Sequence, residues 1–287
     1  MPDAEEVKQL LMLDATNVVP CLGAGSSLKV YCDWDELCHK LLEVSELSDI
    51  PPLNGHNNLE VVEAIQLKKG SIWVAQTIRE RFEQAIESKR GSVPRAEHLR
   101  PKLKLQALIG NAGFPFVITT NFDTSLEESG GGFQQPLYRR NMHLLSSQIT
   151  GPRTPLVKIQ GDITQLGQNE LIMGYPAGER DFFRSSMVPL RQQLRTRHVI
   201  FWGASLKATA NWERILEDLF RSDLAETKPR PLRCKVTADN DADALEHSQL
   251  LWRDYGISTL RLRTWEDADA FMQGLCTACE KHPRTHL

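Results

Sequence analysis

The sequence predicts an α/β fold with a Rossmann-like, mostly parallel sheet and an inserted helical subdomain. A short apolar run at residues 17–22 ends in a glycine turn, as the first buried strand of such a sheet does. Residues 31–112 show the three- and four-residue spacing of apolar side chains that is typical of helices, with no strand signal. From residue 114 onwards strand-like runs alternate with helical segments, which is the pattern of a parallel sheet covered on both faces.

The first half of the chain is predicted to be mainly helical. A short amphipathic helix is expected at residues 5–15, before the first strand. Polar, glycine or proline breaks then divide the helical segment into four predicted helices, at residues 34–44, 58–69, 72–88 and 97–110. We interpret residues 31–112 as an insertion within a single domain of residues 1–287. The Rossmann-like core would then comprise residues 17–30 and 113–287.

In the second half, runs rich in β-branched and aromatic residues indicate strands at residues 114–120, 155–160, 198–203, 234–237 and 257–262. A further short strand is expected at residues 171–173. Helices are expected between and after these runs, at residues 181–196, 211–222, 243–255 and 266–282. The carboxyl ends of parallel strands meet at one edge of the sheet, where open α/β folds bind their ligands.

Composition and charge disfavour several classes of protein. Of 287 residues, 41% are hydrophobic and 25% charged, which is ordinary for a globular protein, and the net charge of −3 argues against a dedicated nucleic-acid binder. Neither an apolar run of about 18 residues nor a basic, signal-like start is present, so we expect no membrane span and no secretion. The six cysteines then indicate reduced thiols and a cytoplasmic location.

Four polar or glycine-containing motifs follow predicted strands. Residues 23–27 (GAGSS) would let backbone N–H groups approach a pyrophosphate at a helix N-terminus, although a simple tight turn is an equally good interpretation. In residues 119–123 (TTNFD), Asn121 is suited to hold a water or ribose hydroxyl and Asp123 a carboxamide; alternatively, the two residues cap a helix. Residues 158–162 (KIQGD) and 201–206 (FWGASL) each also fit an ordinary strand–turn–helix junction.

These motifs, in this order, resemble those of the SIR2-like (sirtuin-fold) proteins over residues 17–262, although the helical segment differs from the classical sirtuin layout. The resemblance implies that NAD binds in the cleft between the sheet and the helical insertion. Asn121 would contact the nicotinamide ribose and position the attacking water, and Asp123 would recognise the carboxamide. The other residues implied to bind NAD, mainly around its phosphates and adenosine ribose, are Gly23, Ala24, Gly25, Ser26, Thr120, Gly203, Ser205, Asp239 and Asn240.

One departure from the family concerns zinc. Classical sirtuin deacylases hold a zinc ion with two CxxC pairs, whereas Cys276 and Cys279 form the only such pair here and have the spacing of one helix face. We therefore expect no zinc, and protein deacylation is only a remote alternative. The chain is more similar to the SIR2-like proteins of bacterial antiphage systems, which cleave the nicotinamide–ribose bond of NAD. That likeness implies a homo-oligomer or a complex with a defence partner protein, without nucleic-acid or membrane binding.

The other departure is Gln160, which stands where the family's KxHGD motif has a histidine. Glutamine forms hydrogen bonds but cannot titrate, and loss of a general base costs about 10²–10⁴-fold in rate. The chain is then a weak or silent member, an inactivated variant, or an enzyme with another base; His143 and His198 are available, although lone histidines are more commonly structural. We expect an NAD+ glycohydrolase, with a catalytically silent NAD- or ADP-ribose-binding scaffold as the alternative.

Overall fold

The computed structural model describes residues 4–27, 30–31, 34–53, 58–165, 185–204, 206, 219–220, 231–238 and 244–281. The strands in this part of the chain are β1 (Val18–Leu22), β2 (Val117–Thr119), β3 (Leu156–Lys158), β4 (His198–Trp202), β5 (Arg233–Ala238) and β6 (Ile257–Leu262). They form one six-stranded sheet in the order β3-β2-β1-β4-β5-β6, and every pairing is parallel. This is the strand order of the Rossmann fold, so the predicted fold class is confirmed.

The helices described are α1 (Ala4–Leu13), α2 (Trp34–Ser45), α3 (Asn58–Lys69), α4 (Ser71–Arg90), α5 (Arg95–Leu99), α6 (Lys104–Asn111), α7 (Ser125–Glu128), α8 (Leu145–Ile149), α9 (Val188–Leu194), α10 (Ala244–Tyr255) and α11 (Trp265–Lys281). They cover both faces of the sheet. In β1, Val19 and Cys21 belong to one apolar core, while Val18 and Leu22 belong to the other. Because successive strand residues point to opposite faces, a strand that is apolar throughout is buried on both sides.

The helical segment has an apolar core of its own. Buried side chains of α2, α3 and α4 pack together there. The same cluster contains Phe122, from the loop after β2, and Ile163, from the loop after β3. The helices therefore pack against the edge of the sheet where these loops lie.

Two helix predictions need correction. The helix expected at residues 97–110 is two helices, α5 and α6, because Pro101 lies between them and has no N–H to donate. At the glycine turn, where a helix N-terminus is expected, the described residues begin a 3₁₀ helix rather than an α-helix. They form a single 3₁₀ turn, Ala24–Ser26, and the next helix described, α2, begins at Trp34. The strand predicted at residues 171–173 and most of the helix predicted at 211–222 lie outside the described residues.

The CxxC pair lies on α11. This helix begins with a reciprocal cap, in which the Thr264 and Asp267 side chains each accept the other residue's backbone N–H at 3.1 Å. Cys276 and Cys279 are both buried in the core against the sheet, and burial raises the pKa of the Cys276 thiol to about 12. Both thiols thus occupy the apolar face of the helix.

No described helix is long and apolar enough to cross a membrane.

Candidate active site

The sheet has a topological switch point between β1 and β4. Along the chain, β1 is followed by β2 and β3 on one side of the sheet, whereas β4 is followed by β5 and β6 on the other. The loops that leave the carboxyl ends of β1 and β4 therefore lead to opposite sides of the sheet, and the ligand-binding crevice of open α/β sheets lies beyond the strand ends at such a point.

The β1 and β4 loops interlock through three glycines. A Cβ atom on Gly23 would lie 2.6 Å from the Ala204 Cα, and one on Gly25 would lie 2.8 Å from the Gly203 oxygen. Gly203 has φ +64°, and a Cβ there would collide with the Ser26 nitrogen. Only glycine permits this approach of one backbone to the other, so these residues are required for packing between the loops.

Most backbone N–H groups of the GAGSS turn have acceptors in the protein. Gly25 donates to the Gly203 oxygen at 2.8 Å, Ser26 to the Gly23 oxygen at 2.9 Å, and Ser27 to the Ala24 oxygen at 3.0 Å. The Ser26 and Ser27 bonds close the turn itself, and the Gly25 bond joins it to the β4 loop. The predicted contact of this turn with a pyrophosphate stays a prediction.

The Asn121 side chain follows β2 and is held by two serines. Its Nδ2 donates to the hydroxyls of Ser26 and Ser27, each at 3.2 Å. Both hydroxyls direct their own protons elsewhere, Ser26 to the Gly23 oxygen at 2.7 Å and Ser27 to the Asp123 Oδ2 at 2.9 Å. They must therefore accept from Asn121, which determines the orientation of the amide. Its Oδ1 is buried and, among the residues that the structure describes, has no hydrogen-bond donor.

Asp123 stabilises the hydrogen bonds around Asn121. Its side chain is 5% exposed. Oδ2 accepts the Ser27 hydroxyl proton, and Oδ1 accepts the backbone N–H of Ser125, the first residue of α7, at 2.8 Å. Asp123, rather than Asn121, therefore binds the first backbone N–H of the short helix, whose N-cap residue is Thr124. The carboxylate links the helix to the serine that orients Asn121.

Gln160 occupies the position in the β3 loop that corresponds to Asn121 in the β2 loop. Thr119 pairs with Lys158, and each side chain lies two residues beyond that pair. The loops continue side by side, because the Ile163 N–H donates to the Phe122 oxygen at 3.1 Å. Gln160 is 6% exposed. The parallel register thus brings Asn121 and Gln160 to the same edge of the sheet, as the sequence predicts.

A buried ion cluster lies under these loops, centred on Lys158, whose side chain is 1% exposed. Its Nζ donates to the Asp123 carbonyl oxygen at 2.6 Å, to Asp162 Oδ2 at 2.7 Å and to Glu127 Oε1 at 3.0 Å. The Tyr138 hydroxyl also donates to Asp162, at 3.2 Å. One ammonium group therefore joins the β2 loop, the β3 loop and α7.

Burial and charge act against each other on the pKa values in this cluster. Burial alone would lower the pKa of Lys158, but Glu127 and Asp162 outweigh it and the pKa lies above its ordinary value. Burial would raise the pKa of Asp162, but Lys158 and hydrogen bonds from Thr164 hold it below its ordinary value. Burial raises the pKa of Glu127, which Lys158 opposes only in part.

The other predicted residues fall into two groups. Thr120 is buried and donates its N–H to the Leu22 oxygen at 3.2 Å, beside the crevice. Ser205, Asp239 and Asn240 lie outside the described residues. Sequence reasoning missed Gln106, on α6, whose side-chain amide donates to the Ser26 oxygen. It also missed the orienting role of Ser27, although this residue lies within the GAGSS motif.

The two candidate histidines are differently placed. His198 begins β4 and therefore lies at the opposite edge of the sheet from the crevice. Its Nδ1 accepts the Leu232 N–H at 2.8 Å, so Nε2 carries the proton and donates it to Asp14 at 3.0 Å. His198 is thus structural. His143 is exposed on a 3₁₀ helix, Arg139–Leu144.

In the described part of the chain, no group of three or more His, Cys, Asp or Glu residues is placed to hold a metal.

Comparison with known proteins gives one family. A family model described as the SIR2-like domain matches residues 115–260, slightly more than half of the chain. The match includes the TTNFD, KIQGD and FWGASL motifs, and the GAGSS turn, which precedes it, packs against Gly203 within it. The comparison with curated proteins found no match. The sheet order and this match agree: the chain belongs to the family of SIR2-like domains.

Proposed function

We propose that this protein is an NAD+ glycohydrolase of antiphage defence, whose rate is limited by Gln160. SIR2-like domains bind NAD, and the crevice between β1 and β4 is where a Rossmann-like sheet holds a dinucleotide. The observation that carries the proposal is the Asn121 Oδ1, a buried acceptor at this edge of the sheet without a donor among the described residues.

That oxygen fits the ribose end of NAD. A buried acceptor without a donor costs about 1–3 kcal/mol, and a protein keeps such an atom when a ligand supplies the donor. A ribose hydroxyl or a bound water is such a donor. Because Ser26 and Ser27 hold the amide nitrogen, Asn121 cannot turn to satisfy its oxygen within the protein.

The charges below the site favour cleavage of the nicotinamide–ribose bond. In NAD the nicotinamide is its own leaving group, and positive charge develops on the ribose as the bond breaks. Among the described residues, three acidic side chains, Asp123, Glu127 and Asp162, lie in this region with the buried ammonium group of Lys158. A net negative charge held in advance stabilises developing positive charge. In this proposal Asn121 also positions the attacking water and Asp123 recognises the carboxamide.

A catalytically silent scaffold that binds NAD or ADP-ribose is the second candidate, and Gln160 is the observation that favours it. The Gln160 amide can bond a ribose hydroxyl but cannot take its proton. Neither His143 nor His198 replaces the missing base, because the first is exposed and the second lies at the opposite edge of the sheet.

The two candidates are separated by measuring NAD binding by calorimetry and nicotinamide release, for this chain and for Gln160→His. We expect both proteins to bind NAD, and the histidine variant to release nicotinamide about 10²–10⁴-fold faster. Binding by both without release by either supports the scaffold. Absence of binding to either folded protein contradicts both candidates.

The defence role adds a requirement for control. An NAD hydrolase that is always active would deplete the NAD of its own cell, so we propose regulation by homo-oligomerisation or by a defence partner protein. Expression of Gln160→His in bacteria is expected to lower cellular NAD, and the same chain with Asn121→Ala is the control that should not. Unchanged NAD with the active variant, with and without phage, would contradict this role.

A further inference from the structure

The single-turn helix α7 is held from two sides by oppositely placed cations. Its last two residues are Glu127 and Glu128. Glu127 contacts Lys158, in the core under the sheet edge, at 3.0 Å. Glu128 receives two hydrogen bonds from Arg95 of α5, one from Nε at 2.8 Å and one from the guanidinium NH2 group at 2.9 Å. The helix thus joins the Rossmann-like core to the helical insertion.

Arg95 is itself part of the packed helical insertion. Its remaining terminal nitrogen donates to Glu83 on α4. One residue earlier, Phe82 packs against the Tyr31 ring with centroids 4.6 Å apart. The Arg95 and Glu128 side chains are about 30% exposed, so the pair is partly shielded from water. Two parallel bonds from a planar guanidinium group impose both a distance and an orientation on the carboxylate.

The other end of α7 leads to the candidate active site. The N–H of Ser125, its first residue, donates to Asp123 Oδ1 at 2.8 Å. Asp123 Oδ2 accepts from Ser27, and Ser27 accepts from the Asn121 amide. Because α7 has only four residues, its two ends cannot move independently. Each step between Arg95 and Asn121 is thus a direct contact or one rigid turn.

We propose that Arg95 is a positioning residue for the NAD site. Through Glu128 and α7 it holds Asp123 where the carboxylate keeps Ser27, and hence Asn121, in the orientation that leaves Oδ1 free for the ligand. This inference rests on the proposed binding of NAD at the site. It makes the placement of the helical insertion and the affinity for NAD energetically coupled, and such coupling is reciprocal.

Two neutral substitutions around the same guanidinium group test the proposal. Glu128→Gln removes the charge that binds Arg95 to α7, while the new amide oxygen still accepts from the Thr124 hydroxyl. Glu83→Gln is the matched control, because it weakens the contact of Arg95 within the helical insertion only. By calorimetry we expect Glu128→Gln to raise the Kd for NAD about fivefold, and Glu83→Gln to change it less than about twofold.

Hydrogen exchange gives a second readout that does not depend on activity. In the parent chain and in Glu83→Gln, NAD is expected to slow amide exchange both at residues 119–125 and in α4 and α5. In Glu128→Gln the protection is expected to persist at residues 119–125 and to be lost in α4 and α5. A merely structural role for Arg95 would not separate the two regions.

The outcomes distinguish this inference from the proposed function. If the parent chain shows neither heat nor protection with NAD, the proposed function fails. If NAD binds but Glu128→Gln matches Glu83→Gln in both Kd and protection, the positioning role of Arg95 fails. Arg95→Lys keeps the charge without the paired geometry and is expected to raise the Kd for NAD as Glu128→Gln does; a Kd equal to that of the parent chain would contradict a positioning role for the paired contact.

Discussion

The hydrogen bonds around Asn121 run in one direction. The amide donates to Ser27, and Ser27 donates to Asp123, whose charge lies at the end of the chain of bonds. Hydrogen bonds in series polarise one another, which increases the electron density that Asn121 Oδ1 presents to a donor. The motif TTNFD identified Asn121 and Asp123 as candidate site residues. It could not show that Asp123, rather than Asn121, binds the first N–H of α7, because the Asn121 amide is held by Ser26 and Ser27, far away in the sequence.

Glu127 gives a pH-dependent prediction at the scale of one residue. Its pKa is raised above the ordinary value of 4.5. Between pH 4.5 and the higher pKa of Glu127 in the folded chain, the folded chain binds more protons than the unfolded chain. The contribution of Glu127 to the free energy of unfolding therefore falls as pH rises. Denaturant unfolding at pH 4.5 and pH 8 should therefore show that Glu127→Gln gains stability relative to the parent chain at the higher pH.

Asp162→Asn is the control of opposite sign. The pKa of Asp162 is lowered from 3.8, so its contribution to stability is present above that pH and is lost as pH falls through the folded value. At pH 8 the Asp162→Asn variant should be less stable than the parent chain. A difference between Glu127→Gln and the parent chain that is the same at both pH values would contradict the raised pKa.

Among the elements, the interlocked β1 and β4 loops make the strictest demand on the sequence. We expect Gly203→Ala to lower the free energy of unfolding by more than about 3 kcal/mol, because it adds a backbone collision to the strain of a positive φ. Gly130→Ala is the matched control, with φ +77° and nothing within 4 Å of a new Cβ. It should cost about 1–2 kcal/mol in the same denaturant titration. Equal losses of unfolding free energy in the two variants would mean that the contact between the β1 and β4 loops contributes little to stability.

The limits of prediction also differ by element. The bounds of α3 and β6 agree with the predicted residues 58–69 and 257–262, because apolar periodicity and local breaks determine them. The strands predicted at residues 114–120 and 155–160 are shorter, since a strand ends where its partner stops pairing. The short helix α7 was indicated only by the alternative in which Asn121 and Asp123 cap a helix, because salt bridges from Lys158 and Arg95 hold it rather than an apolar pattern of its own.

For the whole molecule, the rule that ligands bind beyond the carboxyl ends of parallel strands predicted where the candidate site lies, and tertiary contacts determine its details. The rule correctly brought Asn121, Gln160 and Gly203 to one edge of the sheet, since parallel strands align their carboxyl ends. The KIQGD motif indicated Gln160 as a candidate site residue. The contacts that Lys158 and Arg95 make with α7 join segments far apart in the chain, and no periodicity in a single sequence indicates them.

Binding of NAD should also be visible in the stability of the whole protein. A ligand at 100 times its Kd stabilises the folded state by about 2.7 kcal/mol, which corresponds to a rise in Tm of about 5 °C for a chain of this size. We expect this shift by differential scanning calorimetry for the parent chain. Asn121→Ala should retain its fold and lose most of the shift. A full shift in that variant would place NAD away from Asn121.

The pairing of β1 with β4 has a consequence for synthesis of the protein. Leu22 lies beside Trp202, so the two walls of the crevice are far apart in the chain. Long-range pairing of this kind forms late in folding. A nascent or prematurely terminated chain that stops before β4 has one wall and no crevice. Under the proposed function, incomplete translation products that stop before β4 would therefore be unable to hydrolyse NAD.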